Sequence, residues 1–228
     1  NVLKPWQVEE WCIPKVDAAF VYHMEDVLDL YAEAQDPKRP HVCFDESPFQ
    51  LIRETRQVIP AEPGQVERHD FEYKREGSCN LFMFVCPERG WRHVKVTEQR
   101  TILDVAHCFK DLVDVHFPDA EVIRLVMDQL NTHRLAVLYE VFDPPEARRI
   151  ARKLEIHHTP KQGSWLNMAE IELAVLNGQC LDRRLPEIPI VRTEVAAWER
   201  RRNAAKATID WRFTAPDARD KLDRLYPT

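Results

Sequence analysis

The chain has 228 residues, 44% hydrophobic and 31% charged, with a formal net charge of −6. That length suffices for one sizeable hydrophobic core, and no run approaches the ~20 apolar residues of a membrane span. Residues 1–15 carry Lys4, Glu9, Glu10 and Pro14 where a signal peptide would be apolar, and the acidic balance leaves any nucleic-acid binding to local patches.

Taken in chain order, residues 1–15, with Pro5, Trp6, Trp11 and Pro14, read as an irregular arm. A helix is predicted from Asp17, because Phe20, Val21, Met24, Val27, Leu28 and Tyr31 recur at helical spacing. Pro37 and Pro40 end it. His41-Val42-Cys43-Phe44-Asp45 reads as a short buried strand that delivers an acid at its end. Residues 53–68, polar and holding Pro60, Pro63 and Gly64, read as a loop. Strands are expected at 78–86 and 91–97, and a helix from Thr101 to Phe117, stopped by Pro118. Glu121 to Asp128 is a second apolar strand that closes on an acid. Helices follow at 134–142 and 145–154, a strand at 155–159, and helices at 166–177 and 193–207. A last short helix follows Ala215-Pro216-Asp217, with proline in its first turn.

Six cysteines, Cys12, Cys43, Cys79, Cys86, Cys108 and Cys180, are scattered, and most sit among apolar neighbours. They read as buried reduced thiols of a cytosolic protein. No CxxC pair is present, which argues against a structural zinc site. The element order predicts an α/β fold, a mixed sheet flanked by helices and compatible with a ribonuclease-H-like architecture.

The informative residues are acidic. If the strands ending in Asp45 and Asp128 are parallel neighbours, both carboxylates enter one crevice at the strand ends, where α/β sheets favour ligands. Two close carboxylates repel unless cations neutralise them, and an all-oxygen donor set suits magnesium or manganese. A third acid must come from elsewhere, and Glu170 and Glu172 are the candidates. On a helix they point roughly 200° apart, so only one can face the site. Glu172 shares a face with Met168 and Val175, and Glu170 with Asn167 and Ala174. This favours Glu170 only modestly. Strand-end acids are also common turn residues, so the trio alone is weak support.

Three segments together resemble one family. Cys43-Phe44-Asp45-Glu46-Ser47 resembles the first-aspartate strand of mariner-superfamily transposases, and Val126-Met127-Asp128-Gln129-Leu130-Asn131-Thr132-His133 their second-aspartate strand. His158-Thr159-Pro160-Lys161-Gln162-Gly163-Ser164-Trp165-Leu166-Asn167-Met168-Ala169-Glu170 resembles the third block of the bacterial insertion-sequence 630 branch. The resemblance implies a ribonuclease-H-like core and a catalytic, metal-holding triad of Asp45, Asp128 and Glu170, its Leu-Asn-x-x-Glu register choosing Glu170. It implies two Mg2+ or Mn2+ ions, with Asp45 bridging, for strand cleavage and strand transfer in cut-and-paste transposition. Double-stranded DNA would be the partner, as transposon ends and a TA target, with the protein a homodimer on bacterial nucleoid DNA and away from membranes.

On this reading residues 1–40 are an arm and helix, 41–180 the catalytic core, and 181–228 a helical extension. The family's helix-turn-helix domains find no counterpart in residues 1–44, so recognition of element ends is not expected of this chain alone. Asn131, His133, His158, Lys161, Ser164 and Trp165 are weaker candidates for DNA contact, and His157 could share the role of His158. Glu46 should point to the opposite side of its strand from Asp45. At least one basic cluster, Arg148-Arg149 with Arg152-Lys153, Arg183-Arg184, or Arg200-Arg201-Arg202 with Lys206, should flank the crevice. A related ribonuclease-H-like endonuclease and an inactive DNA-binding remnant remain alternatives.

Overall fold

A computed structural model describes residues 17–131, 133–223 and 226. The arm predicted at 1–15, with Trp6, Trp11 and Cys12, lies outside them. Five strands form one sheet in the order β3-β2-β1-β4-β5: β1 (His41–Glu54), β2 (Tyr73–Cys86), β3 (Trp91–Thr97), β4 (Ile123–Met127) and β5 (Leu154–His158). β1, β2 and β3 form an antiparallel meander. β4 and β5 add in parallel on the other edge of β1. The mixed sheet expected from the sequence is therefore present.

Helices cover both faces. On one lie α1 (Ala18–Ala32), α5 (Met168–Leu176), α6 (Ile188–Ala204) and α7 (Ala215–Lys221); on the other lie α2 (Ile102–Asp111), α3 (Val137–Val141) and α4 (Pro144–Ala151). The two-residue strand period sorts the core. Cys43, Met83 and Val85 join the layer of α1 and α5, while Val42, Phe44 and Phe84 join that of α2. α1 starts as predicted, its N-cap Asp17 accepting the Phe20 N–H at 2.9 Å. α2 runs on through one π turn, Leu112–His116, to Pro118.

Two boundaries differ from expectation. β1 and β2 are longer than predicted and pair out to Glu54 and Tyr73, beyond the edge of the core. The outer half of β2 is largely exposed and that of β1 half-buried; Leu51 and Cys79 join the core there, and the ladder holds the rest. α6 begins at Ile188, several residues early, because Pro189 fits the first turn, where no N–H is needed. Val191, Val195 and Trp198 of α6 enter the same core as α1. Cys43, Cys79, Cys86, Cys108 and Cys180 are buried free thiols, as expected. Among the described residues no helix is long and apolar enough to cross a membrane.

Candidate active site

β1 and β4 are parallel neighbours, with Cys43 opposite Val126. Two residues further along come Asp45 on β1 and Asp128 just past the end of β4. The parallel adjacency on which a shared crevice depends is thus met. Asp45 shares the phase of Cys43 and lies toward α5. Its Oδ1 accepts the Glu46 N–H at 2.8 Å, and its Oδ2 accepts the Asn167 amide at 3.2 Å.

Asn167 is a residue that the sequence reading left out of the site. It is 1% exposed and caps α5 by accepting the Ala169 N–H at 3.1 Å, while its amide also donates to the Phe44 carbonyl at 2.9 Å. One side chain thus fastens the start of α5 to β1. The sequence signal was an asparagine directly before a helix. Glu170 sits exposed in the first turn of that helix. Burial, then the charges of Glu170, Glu46 and Asp128, push the Asp45 carboxyl up to about 7 against the pull of the Glu46 N–H.

Glu172 goes elsewhere. It is 1% exposed, and its carboxylate takes the Arg202 guanidinium on two bonds of 2.9 Å with Arg92 Nε at 3.1 Å. Arg92 is itself fully buried on β3. The two candidate glutamates thus divide: Glu172 locks α5 to β3 and α6, and Glu170 is left facing out.

Asp128 accepts the Leu130 N–H at 3.0 Å, and His133 Nδ1 bonds to the same Oδ1. Burial opposes ionisation, but those two bonds hold the Asp128 carboxyl below the ordinary range. His133 is 1% exposed; burial works against its charge, yet Asp128 and Glu46 push it up to about 9. Glu46 lies on the face opposite Asp45, as expected, and is paired with Arg100 at 2.8 Å.

The other candidates spread around this centre. His158 Nδ1 donates to the Asp128 carbonyl at 3.1 Å, and His157 is taken by Asp26 at 2.9 Å. Lys161 is exposed and lines a hollow with His23, Phe20 and Gln129. Its loop turns tightly: a Cβ on Gly163 would lie 2.5 Å from Pro160 Cγ. Ser164 and Asn131 are exposed. Trp165 is 46% exposed and stacks on Trp211, ring centroids 6.5 Å apart. His133, by contrast, has both nitrogens against carboxylates and offers neither to DNA. Arg183 and Arg184 border a hollow that shares Phe49 and Leu181 with the one beside Glu170, and they pair with Glu194 and Glu54.

The donors at the centre are hard carboxylate oxygens, a set that fits divalent magnesium or manganese. Burial first, and the neighbouring acids after it, raise the Asp45 carboxyl, and a bound cation would oppose both. Among the described residues no three His, Cys, Asp or Glu side chains gather tightly enough to ligate one ion.

Comparison with known proteins supports the same picture. The sequence pattern of the family described as "DDE superfamily endonuclease" matches residues 40–190. No curated protein matches the chain. Among solved structures, the fold is similar to the Mos1 mariner paired-end complex with Mn, at 12% identity and a TM-score of 0.56, over 90% of this chain and 68% of that one. It is similar to the Mos1 transposase paired-end complex with left transposon end, at 13% identity and 0.58, over 88% and 62%. The Mos1 strand transfer complex gives 11% and 0.56, over 86% and 59%. The chain thus spans about three fifths to two thirds of those proteins. The shared fold is ribonuclease-H-like, as the element order anticipated.

Proposed function

The chain belongs to the DDE superfamily endonucleases, and from that premise we propose that it is the catalytic domain of an insertion-sequence transposase, cutting and joining DNA strands with Asp45, Asp128 and Glu170. The observation that supports the reading is the parallel register of β1 and β4, which carry Asp45 and lead into Asp128, with α5 tied to Asp45 through Asn167 and bearing Glu170 in its first turn. Residues 41–180 would be the catalytic core, with α1, α6 and α7 built onto it.

Asp45, Asp128 and Glu170 would hold two Mg2+ or Mn2+ ions. Such ions acidify the attacking water or 3′-hydroxyl and steady the leaving oxygen of an in-line displacement. Asn167 holds the Asp45 carboxylate in place and fixes the helix that carries Glu170. His158, bonded to the Asp128 backbone, braces β5 against the end of β4. Lys161 and Ser164, exposed just before α5, would meet the phosphate backbone, while Trp165 packs on Trp211 and Phe213. Duplex DNA as transposon ends and TA target, and work as a homodimer, belong to this proposal. The relatives of similar fold are transposase complexes with such ends.

Incubation with nicked and pre-cut duplex ends in Mn2+ or Mg2+ tests it. Cleavage and strand transfer are expected, each lowered more than about 10³-fold by Asp45→Asn, Asp128→Asn or Glu170→Gln. Cleavage without transfer of a pre-cut end would favour a plain endonuclease. Wild-type rates in Asp128→Asn would sink the assignment.

A further inference from the structure

His133 lies in the loop after β4, buried against the Phe44 ring with centroids 5.1 Å apart. A histidine so placed ordinarily satisfies one polar partner and packs. This one spends both nitrogens on carboxylates. Nδ1 bonds to Asp128 Oδ1, and Nε2 lies 2.8 Å from Glu46 Oε2, an ion pair outside hydrogen-bond geometry. The other Glu46 oxygen takes Arg100 at 2.8 Å. The His133 N–H closes the loop on the Leu130 carbonyl at 2.8 Å, while the Leu130 N–H holds Asp128.

Two strands are joined by this ring. Asp128 ends β4, and Glu46 follows Asp45 on β1. With Nδ1 on Asp128 and Nε2 facing Glu46, the ring fills the space between the two carboxylates. It separates acids that would otherwise repel. Asp128 is 43% exposed at its side chain, and without His133 only the Leu130 N–H would hold its carboxylate. Pinned at Oδ1, it keeps Oδ2 available.

We infer that His133 is a positioning residue: clamped between Asp128 and Glu46, it fixes the reach of Asp128 from Asp45 and thereby sets how tightly the pair holds a divalent cation. The inference rests on reading Asp45 and Asp128 as a metal pair. It goes further by assigning the coupling between them to a residue that touches neither metal nor DNA.

The test is Mn2+ affinity, read by electron paramagnetic resonance on the full chain, with thermal melting in chelator as a check on folding. His133→Ala should weaken Mn2+ binding about 10–100-fold, the range for groups that orient a ligand. Glu46→Gln should weaken it too, and the double variant should lose less than the two losses combined, because both cut one bridge. His133→Gln, which keeps a donor, should recover part of the loss. A folded His133→Ala with wild-type Mn2+ affinity would overturn the inference while Asp128→Asn still loses binding. If His133→Ala does not fold, Glu46→Gln carries the test, and unchanged affinity there has the same meaning. Unchanged Mn2+ affinity in Asp128→Asn would overturn the underlying metal-pair reading as well.

Discussion

Asp45 is 8% exposed and has three acids around it, so its negative charge opposes folding whenever it is ionised in the native state. Its carboxyl is raised from an ordinary 3.8 to about 7. The folded form therefore holds the proton to higher pH than the unfolded form, and stability falls as pH rises from about 4 through about 7. Asp45→Asn removes that loss. In metal-free buffer the variant should melt above the wild type at pH 8, with the gap closing near pH 4; equal melting curves at pH 8 would refute the crowding. At this scale the sequence exposed Asp45 and Asp128 clearly, since each closes an apolar run. Helix periodicity favoured Glu170 over Glu172 only modestly, giving a direction but no partner, and the family register chose Glu170. The partners of Glu172, Arg92 and Arg202, come from β3 and α6 and meet it only in the folded chain.

The elements that frame the crevice differ in how they are secured. α5 is fixed at its start by Asn167 and along its body by Glu172 against fully buried Arg92. Glu172→Ala would leave Arg92 buried without its counter-charge, at a cost of about 3–5 kcal/mol. Glu170→Gln, on the exposed side of the same helix, should shift denaturant unfolding little while abolishing metal-dependent cleavage. Equal destabilisation by the two would contradict the division of roles. The outer halves of β1 and β2 show where sequence reading loses sight of structure. Ser47 to Glu54 and Tyr73 to Asn80 carry mixed polar residues and Pro48, with a register shift between Gln50 and Ile52, so no alternation marks them as strands. Cross-strand backbone pairing, with Leu51 and Cys79 as the buried anchors, holds them, and composition does not record the pairing.

For the whole molecule, the mixed sheet with helices on its faces was legible because the apolar runs alternate with helical periodicity, while the order of its strands was not, because pairing between distant segments leaves no mark on local periodicity. Equally hidden was how residues outside 41–180 complete the core: α1, α6 and α7 supply Phe20, Met24, Val195, Trp198 and Ala218 to the layer beneath Asp45 and Glu170. α1 also reaches the third block directly, where the Tyr31 hydroxyl donates to the Leu166 carbonyl at 2.8 Å. The crevice is thus assembled by the entire fold, and its purpose reduces to whether three acids hold metal together. Crystals soaked in Mn2+ and measured at the manganese absorption edge decide this. The account predicts anomalous density bridging Asp45 and Asp128, with Glu170 on the same cluster at ligand distances of about 2.0–2.2 Å. Manganese bound away from these carboxylates, or none at concentrations that support cleavage, would contradict it.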